Sequence, residues 1–305
     1  MLCKCYWELA KVRLTAMVLL TTAVGYLLAS PRPIVWLGLA WTVLGTGLAA
    51  VGASTFNQVL EVDRDARMRR TRHRPLPSGR ISRGHAFLFA LVVTAAGIVV
   101  LNELVNPLTA LLGLANVLIY TLLYTPLKPR TSLNTLVGAI CGALPPMMGW
   151  TGAANQLALG AYLLGAILFL WQVPHFLALS WLYRTDYANG GYRMLPVIDP
   201  TGRLTCLLIV LYSLALLPLG LALTFCGVAG CLFGAMSLAL GLGFFLLGLQ
   251  LRTVRSEQNA RRVFLASIAY LPLVLLLLVA DARPVAADAG LAAQAAPRVV
   301  ATPLM

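Results

Sequence analysis

Charge is scarce in this chain. Over 305 residues there are 23 Lys and Arg and only 10 Asp and Glu, while 60% of the residues are hydrophobic. A soluble fold of this length does not combine so little charge with so much apolar material, so composition points to a polytopic helical membrane protein. Histidine is scarcer still, with three residues, and the six cysteines (Cys3, Cys5, Cys141, Cys206, Cys226, Cys231) include no CxxC pair. That argues against a structural zinc site, and no disulfide between Cys3 and Cys5 is expected on a cytoplasmic segment. No internal repeat at a solenoid period is present.

What is abundant is apolar sequence in blocks. They run at about 14–30, 34–56, 86–104, 107–124, 133–152, 158–179, 204–225, 228–250 and 263–280. Each is near the ~20 residues that a spanning helix needs, so the expected fold is all-α, a polytopic bundle of nine transmembrane helices. Lys11 and Arg13 precede the first block as in a signal peptide, but no cleavage site follows and a second block comes at once, so the helix is expected to be retained. An odd number of spans puts the termini on opposite sides. In that arrangement 20 of the 23 Lys and Arg share one side, leaving Arg32, Arg283 and Arg298 on the other. The bias assigns the basic side to the cytoplasm. The domain reading is then a cytoplasmic segment over 1–13, a nine-helix domain over 14–280, and an Ala- and Pro-rich extracytoplasmic tail over 281–305 that is expected to be disordered. The arginine-rich stretch from Arg64 to Arg83 is too short a loop between spans to read as a nucleic-acid surface.

Against this background three of the ten acids fall within five residues, at the end of the second block, as Asn57-Gln58-Val59-Leu60-Glu61-Val62-Asp63-Arg64-Asp65. Asn57, Glu61 and Asp65 are spaced i, i+4, i+8 and share one helix face. A carboxylate costs about 2.5–3.5 kcal/mol at a bilayer centre, less near the interface, so such a stripe marks a functional site. Oxygen ligands on one face suit Mg2+, which takes carboxylates together with phosphate oxygens. Asp63 points away from the stripe and reads as an ion-pair partner. Arg67, Arg70 and Arg74 follow as candidate diphosphate ligands, by bidentate bonds where geometry allows.

Two further segments lie on the same side. Tyr120 and Tyr124-Thr125-Pro126-Leu127-Lys128-Pro129-Arg130-Thr131 join two blocks by a tight basic loop; Lys128 and Arg130 suit a diphosphate, and a plain positive-inside loop explains them equally well. Downstream, Gly138 and Gly142 stand at GxxxG spacing, which permits close helix contact, and Pro145-Pro146 is expected to kink the helix. The other segment holds Trp171, Gln172, Pro174, His175 and Phe176, then Asp186 and Tyr187. On a continuous helix Asp186 would sit at the rim, able to join the metal site, with His175 about 16 Å deeper. His175 reads either as a hydrogen-bonded bundle residue or as a haem contact.

Together these motifs resemble the UbiA superfamily of intramembrane prenyltransferases, and in particular its haem-farnesylating branch. Leu9 to Thr15, Asn57 to Asp65, Arg70 to Leu76, Tyr124 to Thr131, Gly142 to Trp150, Pro174-His175-Phe176, Asp186-Tyr187, Met194 to Val197 and Ala260 to Phe264 carry the likeness. It implies nine helices around a central cavity and transfer of farnesyl from farnesyl diphosphate to the 2-vinyl group of haem B, with addition of water, to give haem O. It implies Mg2+ held by Asn57, Glu61, Asp65 and Asp186, diphosphate contacts from Arg67, Arg70, Arg74, Lys128 and Arg130, and a haem or prenyl pocket formed by His175, Tyr120, Tyr124 and Trp171. It also implies haem B and farnesyl diphosphate as substrates and a haem A synthase or cytochrome oxidase assembly partner; the lack of an N-terminal transit segment leads to the expectation of a bacterial inner membrane. The second acidic motif departs from the superfamily pattern, because Gly190 stands four residues after Asp186 where a second carboxylate is common. The alternatives are a prenyltransferase for an aromatic quinone precursor, and a non-enzymatic haem or lipid transporter.

Overall fold

The computed structural model describes residues 2–283, with side chains from Lys4 onward; the expectations for Cys3 and for residues 284–305 lie outside it. Helices α1 (Leu2–Leu9), α2 (Val12–Ala29), α3 (Trp36–Asp65) and α4 (Arg83–Leu104) come first. The next span is composite, with α5 (Pro107–Leu118), a π-helix (Ile119–Tyr124) and α6 (Thr125–Leu127). Then follow α7 (Asn134–Ala154), α8 (Leu159–Leu182), the short α9 (Arg184–Asn189) and α10 (Leu195–Ile198), α11 (Arg203–Phe225), α12 (Cys231–Thr253) and α13 (Glu257–Ala280). Among the described residues nine helices are long and apolar enough to cross a membrane, and each overlaps one of the nine apolar blocks. The protein is a multi-pass membrane protein.

The helix starts follow from local chemistry. Asn106 accepts from the Thr109 N–H with Pro107 at the first helical position of α5, where a missing N–H costs nothing. Ser82 and Ser256 cap α4 and α13 in the same way, accepting from His85 and Asn259. Large apolar side chains such as Leu88, Leu91, Leu122 and Leu276 stay exposed on the outer faces. That inversion fits a lipid solvent as apolar as leucine, in which close packing rather than hydrophobic burial holds helices together. Glycine at 138 and 142 allows this packing at the bundle centre: a Cβ on Gly138 would lie 2.7 Å from the Tyr124 ring, and one on Gly142 would overlap the Gln172 amide. Helix α7 runs without a break through Pro145 and Pro146.

One local expectation fails. Helix α8 ends at Leu182, and Tyr183 adopts φ −110°, ψ 23° before α9 begins. His175 and Asp186 therefore do not share a continuous helix, and their depth difference cannot be reckoned along one axis.

Candidate active site

The stripe forms as its spacing predicts. Asn57, Glu61 and Asp65 lie on α3 and are 1%, 5% and 1% exposed. Each faces a different cation from a different part of the chain. Lys11 Nζ donates to Asn57 Oδ1 at 2.7 Å, Lys128 Nζ to Glu61 Oε1 at 2.8 Å, and Arg74 Nη1 to Asp65 Oδ2 at 2.6 Å. The Asn57 amide is fixed in one sense: its NH2 donates to Thr125 Oγ, whose own proton goes to the Tyr120 carbonyl, so its oxygen must face Lys11. Asp65 Oδ1 is buried and has no hydrogen-bond partner. An anionic oxygen left bare at a buried position is costly and asks for a cation.

Electrostatics separate the two lysines. Burial pulls the Lys11 ammonium down to about 7, helped by the positive charges of Arg74 and Lys128. Burial also acts on Lys128, but Glu61, with Tyr120 and Tyr187, outweighs it and leaves that ammonium raised. Lys128 also stands 4.6 Å from the Tyr124 ring centroid, a cation–π distance.

Asp186 does not gather with the stripe. Its two oxygens accept from the backbone N–H of Arg69 and Arg70, both at 3.1 Å, so it ties α9 to the 66–82 loop. Among the described residues no three His, Cys, Asp or Glu side chains form a metal cluster. The segment after α9 is held in turn to α3 by Arg64, whose Nη1 donates to the carbonyls of Gly190 and Gly191 at 3.1 Å each. Gly191 sits at φ +69°, a conformation that favours glycine.

The candidate anion ligands divide. Arg74 and Lys128 are committed to Asp65 and Glu61. The Arg70 guanidinium lies against the rings of Tyr183 and Tyr187 at 5.4 and 5.8 Å. Arg67 and Arg130 are exposed. Asp63 is exposed and pairs with Arg83.

Behind the stripe lies an apolar cavity of about 180 Å³ between α2, α3, the α5–π-helix span, α7 and α8. Tyr120 and Tyr124 line it, their ring centroids 5.1 Å apart. The π-helix from Ile119 to Tyr124 carries both rings, and its extra residue per turn is of the kind that recurs at functional sites. From α8 the cavity receives Gln172 and Phe176, not His175 and Trp171. Those two sit a further 100° round the helix and face α13. The His175 ring stacks on Trp171 at 5.0 Å, its Nδ1 lies 2.8 Å from Ser267 Oγ, and Trp171 Nε1 donates to the Ser267 carbonyl at 2.9 Å. The four-residue haem or prenyl pocket implied by the resemblance is thus two separate places.

Lys11, Thr125, Gln172, Phe176 and Tyr192 are the residues that sequence reasoning passes over. Lys11 has the only usable signal, a lone cation at the start of a span, and that signal is indistinguishable from a topology charge. Tyr192 is 3% exposed and lies under both Arg64 and Lys128 at 5.7 and 5.8 Å.

Residues 18–278 match the UbiA prenyltransferase family. The chain belongs to that family. It is 42% identical over 288 residues to a protein of Solibacter usitatus called protoheme IX farnesyltransferase, covering 92% of this chain and 98% of that one. It is 44% identical over 278 residues to the human mitochondrial protoheme IX farnesyltransferase, covering 91% of this chain and 62% of the human one. The fold also matches solved structures. One is a digeranylgeranylglyceryl phosphate synthase, at TM-score 0.75 and 17% identity over 92% of this chain and 98% of that one. Another is a UbiA homolog from Archaeoglobus fulgidus bound to GPP and Mg2+, at TM-score 0.66 and 15% identity over 90% of this chain and 99% of that one.

Proposed function

We infer that this protein transfers the farnesyl group of farnesyl diphosphate to the 2-vinyl group of haem B, with addition of water, releasing diphosphate and haem O. The observation that carries the reading is the placement of the buried Asn57–Glu61–Asp65 stripe, with its three cations, at the head of an apolar cavity lined by two tyrosines. The relatives called protoheme IX farnesyltransferase support the acceptor.

The donor set fits Mg2+: it is oxygen-only, lies on one helix face, and includes the partnerless Asp65 Oδ1, which suits a hard cation. Asn57, Glu61 and Asp65 would hold it, whereas Asp186, with both oxygens given to backbone amides, positions the neighbouring loop. When bound, Mg2+ supplies charge neutralisation to the diphosphate. Lys11, Lys128 and Arg74 stand where they can exchange a stripe oxygen for a phosphate oxygen and share the charge that grows as the C1–O bond breaks. Arg67, Arg70 and Arg130 form an outer ring of positive charge that draws the diphosphate in. The allylic cation forms beside Tyr120 and Tyr124, whose ring faces attract positive charge, and the apolar walls keep premature water from capturing it. The vinyl carbon takes the farnesyl group, water adds at the adjacent carbon, and a proton is released. His175, held by Ser267 and stacked on Trp171, is assigned to contact with the porphyrin.

We place the protein in a cell inner membrane with the stripe facing the cytoplasm, on the basic bias of the loops around it, and the product in line for a haem A synthase or an oxidase assembly partner. The test is purified protein in lipid with haem B, farnesyl diphosphate and Mg2+, read by mass spectrometry of extracted haem. A haem heavier by a farnesyl group plus a hydroxyl, lost on adding EDTA, is the expected result; no haem product alongside prenylation of 4-hydroxybenzoate would discard the acceptor.

A further inference from the structure

The cavity is not apolar throughout. At its inner end two polar atoms lack partners: Thr46 Oγ1 on α3 and Asn116 Oδ1 on α5, both lining the cavity. The threonine is the more telling. Several buried helical threonines turn their hydroxyls back onto the backbone, Thr22 onto Val18 O, Thr42 onto Gly38 O and Thr55 onto Val51 O, whereas Thr94 on α4, outside the cavity lining, does not. Thr46 is 2% exposed and makes no such bond. A hydroxyl and an amide oxygen left bare beside the same space are a site for a bound water or a polar group, since an unsatisfied buried group of this kind costs about 1–3 kcal/mol.

Their depth gives the pair a meaning. Thr46 precedes Asn57 by eleven residues of one helix, about 16 Å at the helical rise. On the neighbouring span Thr125 marks the Asn57 level, since the Asn57 amide donates to it; Asn116 precedes Thr125 by nine residues, about 13 Å at the same rise and less across the intervening π-helix. Two independent helices therefore set their bare polar atoms below the diphosphate end, on the walls of one cavity. An extended chain of three isoprene units spans that distance; a fourth unit would press its methyl groups onto the polar pair. Met148, 1% exposed, closes the space from α7.

We propose that Thr46 and Asn116 form a hydrated polar floor that sets the length of the prenyl chain at three isoprene units. The inference rests on the prenyl-diphosphate reading of the site and concerns donor selection alone. A chain that stops short leaves the floor its water; a longer one must strip that water and bury two unsatisfied polar atoms against hydrocarbon.

The test needs no haem, so its failure is separable from failure of the acceptor assignment. Binding of farnesyl and geranylgeranyl diphosphate, each with Mg2+, is measured on the full chain in lipid nanodiscs. The wild-type protein should favour farnesyl diphosphate about tenfold, the equivalent of one poorly satisfied polar contact. Thr46→Val, nearly isosteric, should narrow that preference severalfold, and Thr46→Val/Asn116→Leu should abolish it, with farnesyl diphosphate still bound. Thr46→Ser, which keeps the hydroxyl, should behave as wild type. A preference retained in the double variant would overturn the proposal, as would a wild-type protein indifferent to chain length. If the double variant does not fold, Thr46→Val against Thr46→Ser decides alone, and equal preference in the two overturns it.

Discussion

Lys128 reaches across 67 residues of sequence to Glu61, Nζ to Oε1 at 2.8 Å, with both side chains largely buried (13% and 6% exposed). The pair joins the segment after α6 to the face of α3 that carries the stripe. A buried ion pair adds little net stability over an apolar pair of the same shape, yet removing one partner is severe because it strands the other charge. Lys128→Met and Glu61→Gln should therefore each cost about 3 kcal/mol or more, while the double variant should cost less than either sum suggests. Unfolding in detergent, followed for all four proteins, checks this; simple additivity would mean that the two charges are not coupled.

Asp65→Asn keeps the shape of the side chain but removes its charge, which answers Arg74 and leaves Oδ1 bare. Haem product should fall about a hundredfold, the scale seen when one charge-stabilising group is lost. The protein should still fold and elute as wild type does. A variant within threefold of wild-type activity would remove Asp65 from the proposed ligand set.

Lys11 makes stability depend on pH. Its folded value is pulled down to about 7, against about 10.4 for an unfolded lysine. Between those values the unfolded chain binds more protons, so stability should rise with pH from 7 to about 10, and the burial penalty should be fully present below 7. Melting temperatures of the metal-free protein across pH 6–10 should show this rise, reduced in Lys11→Met. Parallel curves for the two proteins would contradict it.

Asp186→Ala should loosen the 66–82 loop by freeing the Arg69 and Arg70 amides. Bonds to a charged acceptor are worth about 1.5–3 kcal/mol each. The expected signature is a KM for farnesyl diphosphate raised about tenfold with kcat changed by less than threefold. A loss confined to kcat would instead place Asp186 in contact with the reacting groups.

The nine spans and the oxygen stripe are set by local rules, and the sequence alone determines both. A hydrophobic block of about twenty residues has one stable answer in a bilayer, because its backbone must satisfy itself internally. A four-residue repeat on a helix has one geometric answer, so Asn57, Glu61 and Asp65 share a face wherever α3 lies. The tertiary structure decided the rest. It alone supplies the partners of the stripe, since Lys11, Arg74 and Lys128 arrive from three different segments, and no local pattern sets Lys11 apart from a topology charge. It breaks the chain at Tyr183, so that α9 starts afresh and Asp186 meets the Arg69 and Arg70 amides instead of continuing a face of α8. It inserts a π-helix after Leu118, which aims Tyr120 and Tyr124 inward, and it rotates α8 so that Gln172 and Phe176, rather than Trp171 and His175, meet the cavity. Each of these depends on which helix lies beside which, and periodicity along a single helix carries no record of its neighbours.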